Sequence, residues 1–165
     1  MARVLLSLGA NLGHKAMSVR KAMEMVAQWP GCSDLRASPL YLTKPWGYRD
    51  QDDFVNSAMS FDSDMDPHEM LSRIHELEES FKRERIFRYG PRTLDVDILC
   101  VGDLVLNTPE LSIPHPRMAE RAFVLVPLDA IEPDFHVPGT GRTVHELKSA
   151  LPASELDGVR ILDES

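Results

Sequence analysis

Apolar positions along the chain change period several times, and each change marks an element. Arg3 to Leu8 is a short, nearly continuous apolar run that stops at Gly9-Ala10-Asn11-Leu12-Gly13, which predicts a strand and then a turn. Val19, Ala22, Met23 and Val26 recur at helical spacing until Pro30-Gly31 ends the helix. Leu35 to Leu42 predicts a second strand, weakened by Pro39. Thr43 to Asp53, with Pro45, Gly47 and Asp50, predicts a loop. From Phe54 to Phe61 the pattern alternates: Phe54, Asn56, Ala58 and Ser60 share one face, and Val55, Ser57, Met59 and Phe61 the other. Asp66-Pro67-His68-Glu69 predicts a helix start, with Asp66 as N-cap, Pro67 in the first turn and Glu69 as capping-box partner. Met70, Leu71, Ile74, Leu77 and Phe81 form the apolar stripe of that helix. Leu94 to Val101 is the clearest strand, Gly102-Asp103 a turn, and Leu104 to Leu106 its expected hairpin partner. Met118 to Ile131 predicts a helix bent or broken near Pro127. Thr143-Val144-His145-Glu146 predicts another capping box, opening a short helix to Leu151. The order β-α-β-β-α-β, followed by further elements, points to an α+β sandwich; two successive strands without a helix between them argue against a doubly wound parallel fold.

Composition narrows the picture. The chain has 165 residues, enough for one domain, 1–165, that folds without a disulfide or metal staple. Its 43% hydrophobic and 27% charged residues are globular values and exclude disordered and fibrous classes. The formal charge is −8, so the surface repels phosphate backbones and nucleic-acid binding is not expected. Cys32 and Cys100 form no CxxC and the histidines no HxxxH pair, so no zinc-ligand spacing exists. Two reduced thiols, no signal-like leader and no apolar run approaching the roughly 20 residues of a membrane span predict a soluble, cytoplasmic protein.

The sharpest chemical feature is Arg92-Thr93-Leu94-Asp95-Val96-Asp97-Ile98. On a strand, Asp95 and Asp97 point to one face while Leu94, Val96, Ile98 and Cys100 point to the other. Neighbouring carboxylates repel unless a cation or proton lies between them, and Mg²⁺ takes one or two carboxylates together with substrate phosphates. An edge strand bearing two solvent-facing acids is the plainer reading. Against it stands a basic cluster in an acidic chain: Lys82, Arg83, Arg85, Arg88 and Arg92. Basic residues suit a helix end, but this cluster runs on through Gly90-Pro91. Arginine meets phosphate with bidentate geometry, so carboxylates beside a basic segment suggest a metal–polyphosphate site. Neither GxxxxGK[ST] nor GxGxxG is present. His115 is pinned between Pro114 and Pro116, and Phe54 beside Asn56 suits a flat heterocycle with polar edges.

Five motifs in order carry a resemblance. They are Gly9-Ala10-Asn11-Leu12-Gly13; Pro45-Trp46-Gly47; Asp50-Gln51 with Phe54-Val55-Asn56; Gly90-Pro91-Arg92-Thr93-Leu94-Asp95-Val96-Asp97; and Ile113-Pro114-His115-Pro116-Arg117-Met118. Together they resemble the 6-hydroxymethyl-7,8-dihydropterin pyrophosphokinase family of folate biosynthesis, from about Val4 to about Leu128. The resemblance implies a ferredoxin-like α+β sandwich, with a central, mostly antiparallel sheet flanked by helices on both sides. It implies pyrophosphate transfer from ATP to the pterin hydroxymethyl group with release of AMP, and two Mg²⁺ ions.

Residue by residue, Asp95 and Asp97 match the metal carboxylates. Arg83, Arg85 and Arg92 match basic residues of a loop and its base that contact the triphosphate, and Tyr89 stands at the usual loop tryptophan. His75, Glu78, Ile98, Ser112, His115 and Arg121 match nucleotide-side positions. Phe54 and Phe123 match two rings that sandwich the pterin, Asn56 its amide partner, and the backbone around Thr43, Lys44 and Trp46 further pterin contacts. Asp95 also borders the pterin in this alignment. Lys82 departs from the family pattern where glycine is frequent, Glu110 where some members carry arginine, and Pro116 where some carry tyrosine. The expected partners are small molecules, with neither nucleic acid nor membrane, and a monomer is expected. Two other classes compete: a Mg²⁺-dependent nucleotidyltransferase or phosphohydrolase using the same D-x-D, and a non-catalytic nucleotide-sensing domain.

Overall fold

The computed structural model describes residues 1–10, 15–43, 54–85 and 94–162, without the side chains of residues 15 and 82–85. In chain order the elements are β1 (Ala2–Ala10), α1 (Lys15–Ala27), β2 (Ser33–Ala37), β3 (Tyr41–Thr43), β4 (Phe54–Ser63), α2 (Pro67–Arg85) and β5 (Leu94–Val101). They continue with β6 (Leu106–Asn107), β7 (Ser112–Ile113), a 3₁₀ turn (Met118–Glu120), α3 (Ala122–Ile131), β8 (His136–Val137), β9 (Arg142–Thr143), α4 (Val144–Ser149), α5 (Ala153–Leu156) and β10 (Val159–Ile161).

A six-stranded sheet runs β10-β3-β4-β1-β5, with β2 also paired to β4. Its pairings are antiparallel. The period-two pattern of β1 distributes its side chains to two cores. Val4, Leu6, Leu8 and Ala10 pack with Val19, Ala22 and Val26 of α1 and Met70, Ile74, Leu77 and Phe81 of α2. Leu5 packs on the opposite face with Val124, Leu125 and Leu128 of α3 and Val144 and Leu147 of α4. Helices therefore cover both faces, and each fully buried leucine contributes about 1.5–3 kcal/mol. Among the described residues, no helix is long and apolar enough to cross a membrane.

Helix starts follow the sequence. Asp66 Oδ2 accepts the His68 N–H at 2.9 Å and the Glu69 N–H at 3.3 Å. Glu69 itself turns to Arg73, 3.5 Å away. Thr143 and Glu146 form the reciprocal capping box, at 3.1 and 2.8 Å, but the helix it opens ends at Ser149.

Four expectations are corrected. Leu35 to Leu42 is not one strand: Pro39 divides it into β2 and β3, and Ser38 bridges the gap by accepting the Ala58 N–H on its Oγ at 2.9 Å. Leu104 to Leu106 does not form a hairpin with β5; Leu106 and Asn107 pair instead with Ile113 and Ser112. The Met118–Ile131 segment breaks at Arg121, whose φ of −112° and ψ of 108° are extended, while Pro127 sits inside α3. Cys100 does not share a layer with Leu94, Val96 and Ile98. A bulge in β5 pairs Leu6 with Ile98 but Leu5 with Cys100, so Leu99 and Cys100 both enter the α3 core. Burial there pushes the Cys100 thiol up to about 12, which keeps it inert.

Candidate active site

The antiparallel register assembles the site. Gly9 of β1 lies opposite Asn56 of β4 on one side and Asp95 of β5 on the other. Asn56 in turn faces Tyr41 of β3. One row across the sheet thus reads Tyr41, Asn56, Gly9, Asp95. The adjoining row is Ala58, Ser7, Asp97, and Thr43 pairs with Phe54 beyond the first. All of these sit on the face covered further along by α3.

Gly9 is required by this arrangement. A Cβ built there would lie 2.6 Å from Asn56 Nδ2, so the carboxamide occupies the space that a side chain would fill. Asn56 is buried at 5% exposure, yet among the described residues its Oδ1 has no hydrogen-bond partner, and neither has the buried Oγ1 of Thr43. An unsatisfied buried acceptor costs about 1–3 kcal/mol, and each such group in a native fold asks for a ligand or another explanation.

At the other end of the row the chemistry is anionic. Asp95 is exposed and Asp97 half-buried, opposite to the buried Leu94, Val96 and Ile98, as the alternation requires. Glu78 reaches this strand from α2, and its Oε2 accepts the Val96 N–H at 2.9 Å. Burial raises the Glu78 carboxyl above its usual range; the Val96 bond opposes this, and the fields of Asp95 and Asp97 add to it. His75 lies near enough to lower it slightly. Among the described residues no group of three or more histidine, cysteine or acidic side chains could hold a metal, but the paired oxygens of Asp95 and Asp97 are of the chemistry that Mg²⁺ takes together with substrate phosphates.

His115 borders the same edge. Its main-chain N–H donates to Leu99 O at 2.9 Å, and its Nδ1 accepts the Arg117 N–H at 3.1 Å, which leaves Nε2 as the donor of the neutral ring. Burial lowers its pKa, the Asp97 charge raises it, and Arg121 and Arg117 lower it. The Arg121 guanidinium stands over the Phe123 ring, 5.5 Å from its centroid, and Phe123 packs half-buried against the α3 core. Ser112 donates to Asn107 Oδ1 at 3.2 Å across the β6–β7 pair.

The sequence-expected residues therefore divide. Thr43, Phe54, Asn56, Asp95 and Asp97 share one sheet face, and His115 and Glu78 border Asp97. Ile98 does not join them: its side chain is 4% exposed and belongs to the α1–α2 core. The departure at Glu110 has a partner of its own, since its Oε2 lies 3.6 Å from His68 Nε2. Lys44, Trp46, Tyr89 and Arg92 lie outside the described residues, as do the side chains of Arg83 and Arg85. Tyr41 and Ser7 are additions that sequence reasoning missed; only the strand register reveals them. Burial raises the Tyr41 phenol, and the Asp129 charge adds to the effect.

Residues 5–133 match the family model described as 7,8-dihydro-6-hydroxymethylpterin-pyrophosphokinase (HPPK). The chain belongs to the HPPK family. It is 39% identical over 159 residues to a 2-amino-4-hydroxy-6-hydroxymethyldihydropteridine pyrophosphokinase of Methylorubrum extorquens, covering 96% of this chain and 99% of that one. The enzyme of the same name from Pseudomonas aeruginosa is 39% identical over 150 residues, covering 91% and 92%. The HPPK fold is shared with the Plasmodium falciparum HPPK-DHPS crystal structure with pteroate, at a TM-score of 0.71 and 16% identity. That match covers 90% of this chain and 42% of the longer one.

Proposed function

We infer that this HPPK-family chain transfers pyrophosphate from ATP to the hydroxymethyl group of 6-hydroxymethyl-7,8-dihydropterin, releasing AMP, in folate biosynthesis. It is an ATP-dependent diphosphotransferase. The observation that carries the site assignment is the single row in which an unsatisfied carboxamide and a carboxylate flank Gly9.

In this reading Asn56 Oδ1 accepts an N–H from the pterin edge, which removes the cost of its burial. Thr43 Oγ1 does the same at the next position. Phe54 and Phe123 supply the apolar faces for the ring, with Lys44 and Trp46 as further contacts. Asp95 and Asp97 would hold two Mg²⁺ ions, whose charge would offset that of the triphosphate. Arg83, Arg85 and Arg92 pair with phosphate oxygens and stabilise charge that develops during transfer. His115, with Nε2–H as donor, and Arg121, Ser112, His75 and Tyr89 complete the nucleotide side. The main chain of Ile98, not its side chain, is what β5 offers an adenine.

The β1-α1-β2-β3-β4-α2-β5 order, in which β2 and β3 flank Pro39, and the β3-β4-β1-β5 neighbour order support a ferredoxin-like sandwich. We further propose a cytoplasmic monomer, consistent with two free thiols. The test is product analysis with ATP, Mg²⁺ and the hydroxymethyl pterin. AMP is expected in a one-to-one ratio with pyrophosphorylated pterin; stoichiometric ADP would remove the assignment.

A further inference from the structure

We propose that Glu78 is a positioning residue that clamps the strand carrying Asp95 and Asp97, rather than a contact for the nucleotide. The inference rests on the assignment of those two aspartates as the metal carboxylates.

Among the described residues β5 is the last strand of the sheet, and β1 is its ladder partner. Val96 lies between the two aspartates and faces Leu8 of β1. Its N–H is taken not by β1 but by Glu78 Oε2, which accepts it at 2.9 Å. The peptide between the two aspartates is thus held from both sides: by β1 within the sheet and by a carboxylate outside it. A hydrogen bond to an ionised acceptor is stronger than one between neutral groups. The clamp also stands on a rigid base. Leu77 and Phe81, on the same stripe of α2, are buried in the core shared with Val96 and Ile98. Movement of Glu78 relative to β5 would require repacking that core.

The arrangement has an electrostatic cost that a merely structural strand would avoid. Glu78 adds a third carboxylate beside two others, and Asp95 and Asp97 both disfavour its ionised form. What the carboxylate gains is the Val96 bond, which favours its ionised form. A glutamine amide oxygen can accept the same N–H without the charge. The Gln and Ala variants therefore separate positioning from charge.

The first readout needs neither metal nor turnover: amide hydrogen exchange at Val96, followed by NMR in the metal-free protein. Glu78→Ala should exchange there about tenfold faster or more, the size of a lost bond to a charged acceptor. Glu78→Gln should stay close to wild type. The second readout is initial rate against Mg²⁺ concentration at saturating ATP. Glu78→Ala should lose about 10–100-fold in Mg²⁺ half-saturation or in kcat, as outer partners of metal ligands do. Its KM for ATP at saturating Mg²⁺ should be unchanged, and Glu78→Gln should recover most of the loss. Unaltered Val96 exchange in Glu78→Ala would overturn the clamp. So would a Gln variant as impaired as Ala, or a raised KM for ATP with unchanged Mg²⁺ dependence. Asp97→Asn provides the separate control. If it kept wild-type Mg²⁺ dependence, the metal reading would fall, whatever Val96 exchange said about Glu78.

Discussion

The sheet face beneath α3 carries polar groups at both ends of β1, and the two ends are built differently. At the first end Arg3 donates through Nε to Glu132 at 2.8 Å, through Nη2 to Ser60 Oγ at 3.0 Å, and through Nη1 to Asp34 O at 2.7 Å and Asp62 at 3.3 Å. Ser60 in turn donates to Glu132 at 2.7 Å. At the second end Asn56 Oδ1 and Thr43 Oγ1 are buried without partners among the described residues, and Asp95 and Asp97 both disfavour the ionised form of Glu78. Both ends bury polar chemistry on the same face. The saturated end ties the C-terminus of α3 to the sheet, whereas the unsaturated end holds free energy that a ligand can release. Polarity alone would not have distinguished a brace from a site; the state of satisfaction does.

The largest effect should come from breaking the brace. Among the described residues, Arg3→Met leaves the carboxylate of Glu132, whose side chain is 10% exposed, with Arg36 at 3.7 Å and the Ser60 hydroxyl. Removing one partner of a buried pair costs about 3–5 kcal/mol. Thermal melts should show that loss, while kcat per folded molecule stays near wild type. A stable but inactive Arg3→Met would erase the distinction between the two ends.

The opposite signature is expected at the other end. Asp95→Ala and Asp97→Ala should each lower turnover by about 10²–10³-fold or more, the size of a lost preorganised electrostatic contact. Their melting temperatures should hold or rise, because like charges are relieved and no apolar packing is removed. Wild-type kcat at saturating Mg²⁺ in either variant would end the metal assignment.

Asn56→Ala sharpens the comparison within the site. It deletes an orphaned acceptor, so stability should not fall, while pterin affinity should weaken by about 1–3 kcal/mol. Gly9→Ala should act in the same direction, because the new Cβ, 2.6 Å from Nδ2, displaces the carboxamide. ATP affinity should be spared in both. Calorimetry with each ligand checks this; equal weakening of both would show that the row positions the nucleotide too.

How much of this could be read from the residues depends on how far apart the partners are. The D-x-D face, the Asn56 face and the Asp66 and Thr143 caps were legible because alternation and capping act within a few positions. The brace was not, since Arg3 and Glu132 meet only after α3 folds back over the sheet. Nor was the meaning of Gly9, which needs the β1–β4 register, though its motif was visible. The β5 bulge has no local marker in Leu99-Cys100, and it moved Cys100 into the opposite core. Arg121 breaks the 118–131 segment although Pro127 is its evident breaker. Pro127 sits beyond the first turn of α3, where the packing of Val124, Leu125 and Leu128 holds the helix together despite the missing N–H.

The smallest expected effect belongs to His115, which reports on the unsaturated end without bearing its chemistry. Burial is the first cause of its lowered pKa, so the fold favours the neutral ring that accepts the Arg117 N–H. The unfolded chain then binds the proton more readily than the folded one. This contribution to stability is present above the ordinary histidine value and is lost as pH falls through the lowered folded value. In the metal-free protein, the His115 resonance should titrate below a model histidine. Wild type should also lose more stability between roughly pH 7.5 and 5.5 than His115→Asn, which keeps an acceptor but cannot titrate there. Asp97 raises the His115 value, so Asp97→Ala should move its midpoint lower still, whereas Arg3→Met should leave it in place. A midpoint that ignored Asp97 would mean that His115 and the carboxylate pair do not share one electrostatic site.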